Sequence, residues 1–402
     1  MTDTCPASDR KSIRLGEAQD PPVDAVDGVW RVRSLATARA LLREPHATVQ
    51  AGFNAEDVRR APTRPPLLFA DRDAHRRQRR QVARFLTPKA VSENYRELME
   101  RRARELVDEM AAADEVDLAD VSLRFSVDIA AEVIGLTASD RDAMTARLER
   151  FFSIGHVAPD AVRSRLARVG QLATAQRHLW WFHLKDVRPA ARSRRREPHD
   201  DIISHLVAEG CSDIDVLIEV LTVAAAGMVT TREFISMAAW HLLERPALRA
   251  EFTSADAERR AAILAEVLRL EPVVGHLHRR ATRDIRLDGA EGAFTVPEGA
   301  LIDLFVRPAN ADVGDDGLRL CPGRPTPQGV GAEALSFGDG AHKCPGNALA
   351  LQEADVLLRT LLAHDVTLTA PPRLGWNDVI AGYELRGMML RVGQPKSATA
   401  SS

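Results

Sequence analysis

Cysteine, lysine and long apolar runs are scarce in this 402-residue sequence. Four cysteines, Cys5, Cys211, Cys321 and Cys344, are too few and too scattered for a disulfide framework. Any of them that matters does so as a thiolate. Lysine supplies 5 of the 54 basic residues and arginine the other 49; we ascribe the skew to codon usage, and it makes accidental arginine motifs common. A formal net charge of −3 removes a global attraction to nucleic acid. The charge-free run around the most apolar segment extends only from Val220 to Thr231, short of the roughly 18 residues a membrane helix needs. Residues 1–20 are polar and carry both charge signs, so they lack the apolar core of a signal peptide. No membrane span is expected, and the expected location is cytoplasmic.

What is present is the making of a large core. Hydrophobic residues are 45% and charged residues 28%, the balance of a globular chain, which excludes collagen-like, coiled-coil and mucin-like readings. At about 150 residues per domain the length alone suggests two or three domains. Residues 1–22 read as a flexible leader and 397–402 as a disordered tail. Between them, apolar residues at three- and four-residue spacing predict helices over 72–85, 92–113, 121–136, 139–152 and 160–184. The longest and most apolar candidate runs over 213–243 and implies a central buried helix. A helix over 255–270 precedes strand-like runs at 277–281, 285–287 and 301–306, and a shorter strand is expected at 29–33. Residues 314–331, rich in Gly and Pro, are too long for an ordinary connection and read as functional or mobile. A further helix is expected over 347–363. The fold class is mainly α with small β-sheets, an α+β chain.

One segment carries chemistry, Phe337-Gly338-Asp339-Gly340-Ala341-His342-Lys343-Cys344-Pro345-Gly346, directly before a helix. A thiolate that binds a flat metal macrocycle must project from backbone able to approach the ring closely, and Gly338, Gly340 and Gly346 supply turns without bulk. At a helix N-terminus the sulfur sits at the positive end of the dipole, which favours the thiolate, and Pro345 suits a helix start. Cys321-Pro322-Gly323 repeats the tripeptide without a preceding Gly-x-Gly or a following helix pattern, so Cys344 is the candidate ligand.

The pattern Phe-Gly-x-Gly-x-His-x-Cys-x-Gly resembles the haem-binding loop of the cytochromes P450, the haem-thiolate monooxygenases, and matches it at every defined position. The resemblance is to the soluble bacterial kind and extends from about Trp30 to Val392. It implies one catalytic domain over residues 23–396, with a long central helix over haem b, and a cofactor cradle of Phe337, Gly338, His342, Cys344 and Gly346. His75 and Arg79 resemble the family's His-x-x-x-Arg element that holds the propionates; four apart, they share a helix face and can converge on a carboxylate. Arg279 matches a further propionate contact. Arg76, Arg77 and Arg80 remain candidates for docking an acidic redox partner.

Glu266-Val267-Leu268-Arg269 is similar to the family's Glu-x-x-Arg network. The element that usually completes it is altered, leaving Arg319 and Arg324 as alternatives for the third partner. Ala226-Gly227-Met228-Val229-Thr230-Thr231 resembles the oxygen-binding groove: Gly227 lets the helix open, Thr230 and Thr231 follow it, and Thr230 is a candidate to hydrogen-bond dioxygen or a relay water. Its bland alternative is a helix threonine bonding back to its own carbonyl. The groove departs from the family at Val229, where an acid is usual; Glu233 is a possible substitute.

The implied activity is hydroxylation or epoxidation of a small organic molecule, a secondary metabolite, by activated dioxygen. Only 58 residues follow Cys344, too few for a reductase domain, so electrons are expected from a separate ferredoxin and ferredoxin reductase. Candidate pocket residues are Ala225, Val229, Val274, His276 and Tyr383, with Trp180 and Trp181 weighed equally as pocket or core. The alternatives are oxidative coupling or another non-hydroxylating reaction, favoured by Val229, and a haem-binding sensor without turnover. A zinc site from His276, His278 and nearby cysteines lacks the paired cysteine spacing of structural zinc.

Overall fold

The computed structural model describes residues 8–14, 21–44, 46–52, 55, 64–155, 174, 176–289, 292–377 and 380–395, with the side chains of 151–155, 288, 289 and 292 excepted. Packing divides the chain into two compact units, each discontinuous in sequence: Met1–Arg79 with Trp240–Asn347 and Ile380–Tyr383, and Arg80–Ala239 with Ala348–Val379 and Glu384–Ser402.

The first unit is built on a five-stranded sheet in the order Val23–Val26, Val29–Val32, Leu301–Phe305, His276–Ala281, Thr48–Gln50. Its first two strands form a hairpin through Asp27-Gly28, both at positive φ (51° and 79°), the conformation that a two-residue turn between twisted strands requires. The second strand pairs in parallel with Leu301–Phe305, and the other pairings are antiparallel. Period-two alternation puts Val32, Ile302, Leu304 and Ala281 into a core closed by Leu35, Ala38, Leu41 and Leu42 of helix Leu35–Arg43. The ribbon Ile285–Gly289/Gly292–Val296 adds Ile285, Leu287 and Val296, and Phe294 stacks on Trp30 at 5.5 Å. Helix Ala257–Leu270 starts where the Asp256 side chain accepts from Arg259 N, and it ends before Glu271-Pro272.

Of the expected leader, residues 8–14, 21 and 22 are among the described residues. Residues 8–14 are bound: Asp9 N donates to Leu318 O at 2.9 Å, Arg10 Nε to Leu270 O at 2.8 Å, and Ser12 N to Glu271 Oε2 at 3.1 Å. Ser12 is fully buried. Glu271 anchors them because its buried carboxylate, which also meets His241 Nε2 at 3.2 Å, needs every donor within reach. The tail 397–402 lies outside the described residues.

The second unit is helical. Helix Leu118–Ile134 is buried on nearly every side, the pattern of a core helix rather than an amphipathic one. It begins three residues before its sequence-expected start because Asp117 caps it, accepting from Ala119 N at 3.0 Å. The same carboxylate takes Gly387 N and Met388 N at 2.7 and 3.1 Å, beside the antiparallel sheet Val116–Asp117, Met389–Pro395, His364–Ala370. Around Leu118–Ile134 pack helices Arg96–Ala112 and Arg141–Gly155. Buried charge is paired, Arg147 gripping the fully buried Asp186 with two bonds of 2.6 and 2.8 Å. Of the helix expected over 160–184, residues 160–173 lie outside the described residues.

The long helix runs from Asp213 to Glu244, opened by a reciprocal cap between Ser212 and Asp215. Residues 213–239 belong to the second unit. By length and mean hydropathy, 1.7 over its most apolar window, it would be long and apolar enough to cross a membrane, which the short charge-free run does not suggest. Its buried Arg232 and Glu233 instead mark a core helix that also carries polar contacts.

Candidate haem-thiolate site

The cysteine loop is rigid for local reasons. Gly338 and Gly340 adopt φ of +69° and +67°, and a Cβ at Gly340 would lie 2.0 Å from Leu42 O. Only glycine meets both conditions. Between them, Asp339 accepts from Gly340 N at 2.7 Å and is held by Arg39 and Arg43, each at 2.9 Å. Cys344 N donates to Phe337 O at 2.8 Å and closes the loop. Helix Asn347–Leu362 begins three residues beyond the sulfur. Burial raises the Cys344 thiol above its ordinary pKa, opposed by the Gly346 N–H and the charges of Arg79 and Lys343. A metal that binds the thiolate would complete what these donors begin. Cys321, by contrast, sits in an irregular loop with its Sγ 3.7 Å from Asp316.

Around this loop the first unit gathers positive charge. Helix Arg72–Ala83 carries His75 and Arg79 one turn apart. The buried His75 ring lies 3.9 Å, centroid to centroid, from His342, whose Nε2 is 3.7 Å from Asp71 Oδ1. Arg279 is buried and donates to His278 O at 2.8 Å. Burial, then the neighbouring His342 and Arg79, push His75 down to about 4; burial brings Arg279 down to about 10 and lowers His342 as well. Asp71 is the acidic group that offsets each of these three sites. Two guanidiniums share one carboxylate and are short of counter-charge, and the two neutral imidazoles beside them add N–H donors, so the set suits a ligand that brings carboxylates of its own. Its donors fit the two propionates of haem, as the cysteine loop fits its iron.

Behind the loop, Glu266 and Arg269 are fully buried and joined by two bonds of 2.7 and 2.8 Å. Of the two alternatives for the third partner, the structure brings in the Arg324 side chain, Nε to Glu266 Oε1 at 3.0 Å; Arg319 offers only its carbonyl, 3.1 Å from Arg269 Nη2. Arg269 Nη1 also holds Asn310 O and Gly317 O at 2.8 and 2.7 Å. Residues 314–331 are thus stitched to this network, which is why so long an irregular stretch keeps its form. Asn310 relays the order forward, accepting from Leu335 N at 2.9 Å and donating to Ser336 Oγ at 2.8 Å.

In the second unit the long helix widens into a π turn over Ala225–Val229, the kind of local opening that accompanies functional sites. A Cβ at Gly227 would meet nothing within 4 Å among the described residues. Thr230 Oγ1 donates to Ala226 O at 2.5 Å, so the bland alternative for its hydroxyl is the one observed here. Thr231 is buried. Glu233 is fully buried and engaged by Arg232 Nε at 2.9 Å, Arg386 Nη1 at 2.7 Å and Leu385 N at 2.8 Å. It is a structural anchor rather than a substitute for the acid missing at Val229.

Residues 260–365 match the family model for cytochrome P450. The erythromycin C-12 hydroxylase of Saccharopolyspora erythraea is 28% identical over 358 residues, covering 85% of this chain and 83% of that protein. The mycinamicin IV hydroxylase/epoxidase of Micromonospora griseorubida is 28% identical over 396 residues and 93% of each. Among solved structures, the open form of the cytochrome P450 EryK from S. erythraea superposes with a TM-score of 0.76 at 25% identity, over 95% of each chain. The chain belongs to the cytochrome P450 family.

A P450 monooxygenase carries a haem-thiolate cofactor, and in this P450 the candidate propionate-binding residues and the cysteine loop lie in one unit. Sequence reasoning missed three contributors: Asp71, which precedes the helix of His75; the Arg39–Asp339–Arg43 clamp; and Asn310. Only Asp71 left a signal, an acid at a helix start. Three pocket expectations change. Tyr383 is fully buried with its hydroxyl donating to Glu271 O at 3.3 Å, so it is core. His276 is turned to Asp303, with Nδ1 2.8 and 2.9 Å from its two oxygens. Trp180 and Trp181 are neither core nor enclosed, being 54% and 50% exposed. Ala225, Val229 and Val274 keep partial exposure.

Proposed function

We propose that this P450 holds haem b through Cys344 and hydroxylates or epoxidises a small organic secondary metabolite in the cytoplasm, drawing electrons from a separate ferredoxin and ferredoxin reductase. The observation that carries the reading is the loop that presents Cys344 Sγ to the Gly346 N–H and the Arg79 charge, beside a cluster of basic groups short of counter-charge. The substrate class is supported by the relatives named for oxidising erythromycin and mycinamicin IV. When bound, the haem supplies one-electron and dioxygen chemistry, with thiolate donation favouring O–O cleavage.

The chain's own residues divide the remaining work. His75, Arg79, Arg279 and His342 hold the propionates. Gly338 and Gly346 would keep bulk away from the macrocycle, Gly340 lets the loop pass against the Leu42 carbonyl, and the Glu266–Arg269–Arg324 network fixes the loop behind the sulfur. Thr230, its proton on Ala226 O, offers lone pairs that orient a water or a substrate hydroxyl. Ala225 and Val229 give the π turn of the long helix an apolar lining. Two measurements test this. The reduced carbon-monoxide complex must show the thiolate-type spectrum and lose it in Cys344→Ala; and candidate metabolites must shift the haem spin state and, with a surrogate ferredoxin system, yield product carrying label from labelled dioxygen. An unchanged spectrum in Cys344→Ala would refute the ligand.

Val229 and the fully engaged Glu233 favour one second reading, a P450 reaction such as oxidative coupling in which no oxygen enters the product. Product formed without label would select it.

A further inference from the structure

Outside the haem site, the sheet of the first unit carries a cluster that the P450 reading does not use. Strand His276–Ala281 alternates its side chains, so Leu277 and Arg279 occupy one face, and His276 and His278 the other. On the adjoining strand Asp303 lies directly across from His278. His276 Nδ1 is 2.8 Å from Asp303 Oδ1, His278 Nε2 is 3.6 Å from the same oxygen, and the three ligand atoms lie within 4.8 Å of one another.

We propose that His276, His278 and Asp303 form a divalent-cation site for zinc or a similar borderline metal, on the sheet face opposite Arg279. Two imidazoles and one carboxylate, with positions left for water, are a donor set that such ions take. With metal–ligand bonds of about 2.0–2.1 Å, tetrahedral ligand atoms stand roughly 3.3 Å apart, a spacing that the observed 2.8 and 3.6 Å bracket. Small rotations about the side-chain torsions bring the three atoms together.

A hydrogen-bonded pair alone explains only part of the cluster. His276 is satisfied by Asp303, but His278 is not: at 3.6 Å its Nε2 is beyond a good hydrogen bond, and its buried Nδ1 has no partner among the described residues. The ring is packed against Gly52, where a Cβ would come 2.8 Å from Nδ1, so the backbone makes room for an imidazole that no hydrogen bond rewards. A metal would engage Nε2. The competing cation is Arg31, across from Asp303 on its other side; among the described residues it makes no ion pair with Asp303.

The test uses the haem-loaded protein, stripped of adventitious metal on a chelating resin and titrated with zinc chloride by calorimetry at neutral pH. One zinc per chain is expected, bound at least about tenfold more weakly in Asp303→Asn, His276→Gln and His278→Gln, and unchanged in His364→Gln. Haem content and circular dichroism identify any variant that fails to fold, and the remaining variants then decide. Binding equally strong in the folded ligand variants, or lost equally in His364→Gln, overturns the proposal. The readout is metal affinity and not turnover, so the result is independent of the haem function.

Discussion

Replacing Glu266 by Gln tests the idea that the cysteine loop is held from behind by a buried charge. The carboxylate accepts four hydrogen bonds: Oε1 from Arg269 Nη2 at 2.8 Å, Cys321 N at 2.9 Å and Arg324 Nε at 3.0 Å, and Oε2 from Arg269 Nε at 2.7 Å. An amide of the same shape can keep its oxygen at the first position, but its NH2 then faces Arg269 Nε–H, donor against donor. Two guanidiniums also lose their shared counter-charge. Breaking a buried pair in this way costs about 3–5 kcal/mol. If the 402 residues unfold with an entropy of about 2.1 cal/mol/K per residue, that loss lowers Tm by about 4–6 °C. Because Arg269 and Asn310 link the network to Leu335 and Ser336, a lower yield of the thiolate-type carbon-monoxide complex should accompany it. Thermal melting of the haem-loaded variant and its reduced spectrum are the assays. A Tm within about 1 °C of the parent, with a full thiolate spectrum, would refute the reasoning. Arg319→Ala is the control: its partly exposed side chain pairs with Asp9 at 3.3 Å and should cost no more than about 1 kcal/mol.

Gly340→Ala should sharply reduce haem incorporation, since positive φ alone costs about 1–3 kcal/mol and the Leu42 carbonyl stands in the way of the new methyl. Gly299→Ala, at φ +80° with open space around it, should bear only the conformational cost; equal haem content in the two variants would contradict the steric argument. Glu353 is buried and its Oε2 has no hydrogen-bond partner among the described residues, and burial raises its pKa well above the ordinary 4.5. The folded state therefore holds a proton that the unfolded chain releases, and stability falls as pH rises from about 4.5 toward the folded pKa. Glu353→Gln should flatten that fall, and Tm against pH for the two proteins would show it; parallel curves would rule it out. Val229→Asp restores an acid beside Thr230 and should raise labelled product per reducing equivalent with a surrogate ferredoxin system, a ratio that stays level if proton supply does not limit the reaction.

The parts legible in the sequence were those whose causes are local. The cysteine loop needs particular backbone angles and a helix start within ten residues, so its pattern survives in the string of letters. That His75 and Arg79 share a helix face needed only helical spacing, while their role toward a propionate rests on the family resemblance. What remained hidden depends on partners far along the chain: Tyr383 looked like a pocket residue until its hydroxyl met Glu271, and His276 until Asp303 lay beside it on the next strand. The choice between Arg319 and Arg324 was open for the same reason, because both precede or follow the same turn and only the fold decides which side chain points inward. The bound residues 8–14 could not be foreseen, since their polar composition resembles a free leader and their partner, Glu271, is distant in sequence.

The long helix separates two roles that a single acid–alcohol pair would otherwise combine. Val229 cannot carry a proton, and Glu233 spends its oxygens on Arg232, Arg386 and Leu385. Thr230 gives its own proton to Ala226 O. What the helix retains is an acceptor: the Thr230 oxygen has lone pairs left to fix the direction of an incoming donor. On the proposed function, the long helix offers no free acid at these positions, so protons would arrive on mobile carriers such as solvent or the substrate's own hydroxyl, with Thr230 orienting them. A substrate that brings a suitably placed hydroxyl would take over part of the acid's task, and the absence of a fixed acid would act as a filter on which molecules turn over as well as a handicap on rate.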